Sequence, residues 1–187
     1  MALVSYFDNR IENGDLPWGK YGDWQLLKGA IATGPSLNND AYLDLLRKLK
    51  MRTEEIDEYK SYIKELKTKV SIVPVSRNKR LPNGEIVSCI GAHPSIEASI
   101  ALYSSSIYSL TENLERKQVD LQRYMSAKRF INSIDVQYIF ELQSLCRRER
   151  KELKRLQLIY EYWRAKSEIK TYTDECFKIL GMLLQNM

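Results

Sequence analysis

The sequence predicts an all-α protein: a long antiparallel helical pair with a β-hairpin at its tip, packed by a third long helix and a short C-terminal helix, plus an irregular N-terminal arm. Three observations carry this reading. From Asn39 onward, apolar residues recur on an alternating three- and four-residue spacing. Five of the eight glycines lie before Ser36, with Pro17 and Pro35, whereas Ala92 to Leu180 contains no glycine and only Pro94. Between the first two periodic runs, VSIVPVSRNKRLPNGEIVSCIGAHP breaks the pattern with β-branched residues on both sides of Asn83-Gly84, a strong hairpin signal.

The expected organisation is an arm over residues 1–38 and a helical domain over 39–187, with the hairpin inserted at about 70–92. The arm carries Tyr6, Phe7, Trp18, Tyr21 and Trp24, too many aromatic rings for a chain with nothing to bury. It should dock through these rings, on its own body or on another subunit. Asn38, Asn39 and Asp40 offer N-cap oxygens for the first long helix. Its seam is Tyr42, Leu45, Leu49, Ile56, Tyr59, Ile63, Leu66 and Val70, interrupted only by Arg52.

The hairpin should present Arg77, Lys79 and Arg80 at its tip. Its apolar residues Val73, Val75, Ile86 and Val87 have no shelter in a lone two-stranded ribbon, so they should meet another chain. Pro74 keeps that strand at an edge. The second helix begins near Pro94, which a first helical turn tolerates, and its seam runs from Ile96 to Ile131 with Lys117 and Lys128 intruding.

A third run, Ile139, Leu142, Cys146, Leu153, Leu156, Tyr160 and Trp163, is widened by Leu145 and Ile159. It should pack on the first two helices, with the small side chains of Ser99, Ser104, Ser105, Ser106 and Ser109 permitting close approach. A last short helix is expected from Thr171. The helix, hairpin, helix layout resembles prefoldin subunits in plan, and no function is carried across from that resemblance.

Little in the chain points to chemistry. GDLPWGKY, Gly14 to Tyr21, matches a phosphate-binding loop until the Ser or Thr that should hold Mg²⁺, and it lacks the strand leading in and the helix leading out. His93 is the sole histidine, so no histidine-based triad or pair is available. Cys89, Cys146 and Cys176 form no CxxC pair, which suggests neither a disulfide framework nor a metal site. We expect no enzyme activity, no cofactor, no metal and no small-molecule substrate.

Charge is more informative. Residues 1–40 hold three Lys/Arg against five Asp/Glu, leaving 26 against 19 in the rest of the chain. The densest stretch is CRRERKELKR, where Arg147, Arg150, Lys151 and Lys154 share one helix face and Arg148 and Arg155 flank it. That stripe, with Arg77, Lys79 and Arg80, is the candidate nucleic-acid contact. The region after it invites comparison with the helix-turn-helix of small phage transcription activators, but the glycine-containing turn is absent.

The expected function is therefore a structural or assembly protein working through protein partners, in a homo-oligomer or larger complex. The plan is similar to helical connector and accessory proteins of tailed phages, which implies a virion or assembly role. The alternative is a DNA-binding regulator. The absence of a signal-like N-terminus or a long apolar run predicts a cytoplasmic or virion location, neither secreted nor transmembrane, with no membrane partner.

Overall fold

Val136 to Leu180 contains neither glycine nor proline, and it forms part of one uninterrupted helix of 50 residues. The computed structural model describes residues 2–16, 25, 26, 29, 40–72, 77–80, 86–89, 95–129 and 135–185. Within them lie α1 (Ala2–Glu12), α2 (Asp40–Lys69), β1 (Arg77–Arg80), β2 (Ile86–Cys89), α3 (Ile96–Lys128) and α4 (Val136–Gln185). The class is all-α. Among the described residues no helix is long and apolar enough to cross a membrane.

The chain divides into two compact units, one formed by residues 1–61 with 168–187 and the other by residues 62–167. In the first, α1 occupies residues expected to be irregular. Leu3, Val4, Phe7 and Ile11 lie at helical spacing, and no glycine or proline interrupts them. Gly14, at φ 72°, then ends the helix: its N–H bonds the Ile11 carbonyl at 3.0 Å, and the Asp15 N–H reaches back to Arg10 at 2.9 Å. This is a Schellman cap, in which glycine takes the left-handed conformation without a Cβ clash.

Phe7 is fully buried in this unit's core, with Leu16, Leu46, Leu49, Ile56, Cys176 and Leu183. Polar contacts fix the docking. The Arg10 guanidinium forks onto Asp57 of α2, one arm at 3.0 Å, and the Tyr6 ring lies under Lys50 at 4.9 Å. Helices α2 and α4 run antiparallel here, because Arg52 pairs with Glu175 while Tyr59, further along α2, stacks against the earlier Tyr172.

The apparent break in the α2 seam at Arg52 is filled by its neighbour. Thr53 is 1% exposed, and its hydroxyl donates to the Leu49 carbonyl at 2.8 Å, so a polar residue occupies a core position without an unmet donor. The final short helix expected from Thr171 is part of α4. RAKSEIKTYTDE is polar but contains no helix breaker, and Thr173 closes its hydroxyl onto the Ile169 carbonyl at 2.7 Å.

In the second unit, Ser95 caps α3 by accepting the Ala98 N–H at 3.1 Å, and the Asp135 carboxylate accepts the Gln137 N–H at the start of α4 at 2.8 Å. Pro94 lies outside the described residues. The partner of α3 is α4, again antiparallel: Lys117 meets Glu149, and Tyr124 meets Tyr138 with ring centroids 5.0 Å apart. Helix α2 also meets α4 in this unit, with Tyr62 donating to Glu161 at 2.6 Å, so the third periodic run contacts both earlier helices. A periodic seam states that a helix has a partner, not which helix it is.

Two further expectations change. Of the five serines, only Ser99 is buried; Ser104, Ser105 and Ser109 are exposed, so they do not seat α4. The strands are short, pairing Arg77 with Cys89 and Arg80 with Ile86 in antiparallel register. Arg77, Lys79 and Arg80 therefore stand in a strand rather than at a tip. Helical bonding extends to the Val70 N–H, which bonds the Leu66 carbonyl at 3.0 Å.

Two outcomes are expected from this packing. Phe7→Ala should cost about 3–5 kcal/mol in urea unfolding, the usual penalty for emptying a buried aromatic site. Burial pushes the Cys176 thiol up to about 11, so its protonated form is favoured by folding. That contribution is complete below the thiol's ordinary value and falls away as pH rises through about 11. Alkylation followed by mass spectrometry at mildly alkaline pH should leave Cys176 unmodified until denaturant is added.

Candidate functional site

Within the second unit, α4 buries Ile139, Leu142 and Cys146 on one side, which turns the opposite side outward. Arg147, Arg148, Arg150, Lys151, Lys154 and Arg155 are all exposed. The two acids within the stretch do not neutralise the face. Glu149, only 16% exposed, is taken by Lys117 of α3, and Glu152 is held by Arg155 through bonds of 2.9 and 2.6 Å. The Arg155 guanidinium draws the Glu152 carboxyl below its ordinary range, which keeps that pair charged.

Among the described residues, Arg147, Arg148, Arg150, Lys151 and Lys154 have no ion-pair partner. By contrast, Lys48, Lys50, Lys69 and Arg116 each pair with a carboxylate one turn away. Uncompensated cations at i, i+3, i+4 and i+7 produce a local positive potential suited to a polyanion. The sequence brings these residues together by helical periodicity alone. The same periodicity sets Glu149 on the side of Cys146, where Lys117 of α3 takes it.

The sequence-predicted partner contacts are more dispersed. Phe7 belongs to the chain's own core and Tyr6 packs against it. Ile86 and Val87 fall in β2, while Trp18, Tyr21, Trp24, Val73 and Val75 lie outside the described residues, as does His93. Among the described residues no group of three or more His, Cys, Asp or Glu side chains is arranged to hold a metal ion.

The first unit carries a surface feature that the apolar seams do not mark. An open groove of about 570 Å³ runs between α2 and α4, floored by Met51, Ile179 and Met182 and edged by Arg47, Arg52 and Lys178. Met51 and Met182 are 59% and 43% exposed. Arg52 is committed to Glu55 and Glu175, both at 2.6 Å, and this leaves Arg47 and Lys178 as the cations without ion-pair partners among the described residues. Methionines adapt their shape to what they contact, which suits them to a docking surface. The available signal was a methionine on the polar side of each amphipathic pattern.

No known family model, curated protein or solved structure matches this chain. The functional reading therefore rests on the two surfaces just described.

The cations of α4 separate into structural and free ones. Lys117→Ala should destabilise the protein by about 1–3 kcal/mol, since it leaves Glu149 part-buried without its charge partner. Arg147→Ser or Lys151→Ser should stay within about 0.5 kcal/mol of the unaltered chain in the same urea titration.

Proposed function

We propose that this chain is a non-enzymatic assembly protein that docks copies of itself, and that its groove in the first unit is the receiving surface. The observation that carries the reading is an apolar floor of Met51 and Met182 set beside two uncompensated cations. Such a surface takes an amphipathic helix with apolar anchors on one face and carboxylates between them.

The chain carries a stripe of that chemistry. On the outward side of α3, Tyr108 and Val119 are 67% and 46% exposed, with Glu112 and Glu115 between them. Their spacing of i, i+4, i+7 and i+11 places all four on one face. A second copy presenting this stripe would set Glu115 near Arg47 or Lys178. Groove and stripe are different surfaces, so the contact is head to tail and can continue beyond a dimer. A virion or connector role of the tailed-phage kind remains the finer form of this proposal, supported by helical plan alone.

Nucleic-acid binding is the second reading, favoured by the five uncompensated cations of α4. The two are compatible, since the surfaces differ.

Sizing with light scattering should give a mass above the 21.9 kDa of one chain. Arg47→Glu with Lys178→Glu, or Glu115→Lys alone, should shift the mass toward one chain, and the combined variant should recover association. A chain that stays at the mass of one copy at every concentration would defeat the proposal.

A further inference from the structure

The cationic stripe of α4 is headed by an aromatic ring that the chain's described residues leave uncovered. Phe140 is 61% exposed, and Val136, one turn before it, is 39% exposed. Counting onward, Phe140, Ser144, Arg147, Lys151 and Lys154 follow steps of four, three, four and three residues, so they form one line along the helix. Phe140 lies about 10 Å before Arg147 and about 21 Å before Lys154 at 1.5 Å rise per residue.

We infer that this line is a binding site for single-stranded nucleic acid, with Phe140 stacking on a base and Arg147, Arg150, Lys151 and Lys154 taking the phosphates that follow. The inference rests on the nucleic-acid reading above and adds the kind of strand and the stacking residue. A duplex would satisfy the cations but has no free base face near its backbone for the ring. A single strand offers both groups. An anionic membrane fits less well, because an interfacial helix needs an apolar face along its length, and here the apolar side chains stop at Phe140. An acidic protein segment would account for the cations and leave the ring without a role.

The test uses the full chain and fluorescence anisotropy with labelled oligothymidine of about 16 nucleotides, the upper end of the site size of small single-strand binders. A duplex of the same length and vesicles of phosphatidylserine and phosphatidylcholine are measured in parallel, at about 50 mM salt and above. Phe140→Ala should weaken oligothymidine binding about 5- to 150-fold and leave duplex binding and the salt dependence unchanged. Phe140→Trp should retain the affinity. Replacing Arg147, Arg150, Lys151 and Lys154 by Ser should abolish binding of both strand types, with the circular dichroism spectrum preserved.

If Phe140→Ala binds oligothymidine as the unaltered chain does, while the four-Ser variant does not, the stacking site is wrong and nucleic-acid binding stands. If the unaltered chain binds neither oligonucleotide at low salt, the nucleic-acid reading falls with it. Binding to vesicles alone overturns both in favour of a lipid surface.

Discussion

The continuity of α4 is the constraint on which the rest depends. A helix of 50 residues without glycine or proline in its first 45 positions supplies a packing surface to each unit, to α2 in the first and to α3 in the second. Its apolar positions change with its company. Ile139, Leu142 and Cys146 are buried at steps of three and four, then Ile159, Tyr162 and Ala165 at steps of three. Steps of three fall behind the 3.6-residue turn, so the buried face moves around the helix within the second unit.

Polar side chains specify what the apolar ones leave open. Leucine against leucine tolerates a shift by a turn, whereas Arg10 on Asp57, Arg52 on Glu175 and Lys117 on Glu149 each have one matching position. The Lys117–Glu149 pair has a second consequence. Helical spacing sets Glu149 on the side of Leu142 and Cys146, and Lys117 holds it there, so that carboxylate is engaged by packing while the neighbouring cations stay uncompensated. Structure and candidate function meet at that residue.

Much of the architecture was legible in the chain. The start of α2 after Asn39, the start of α3 close to Pro94 and the exposure of the basic stripe all follow from turn signals and periodicity, which act over a few residues. What the periodicity missed was local in a different way. A threonine that bonds its own helix can sit in a core, as Thr53 does, and a polar stretch without breakers stays helical, as at RAKSEIKTYTDE. The α1 helix lies ahead of the glycines that give the arm its irregular composition, which begin only at Gly14.

The sequence by itself determined the helical class, the approximate limits of α2 and α3 and the grouping of Arg147, Arg150, Lys151 and Lys154 on one helix face, because each of these depends on spacing along a single segment. Only the tertiary structure decided that Phe7 is used in the chain's own core and that Glu149 is paired with Lys117 of α3. The groove at Met51 and Met182 belongs to the same group. These depend on which segment lies opposite which, and a hydrophobic seam carries no label for its partner.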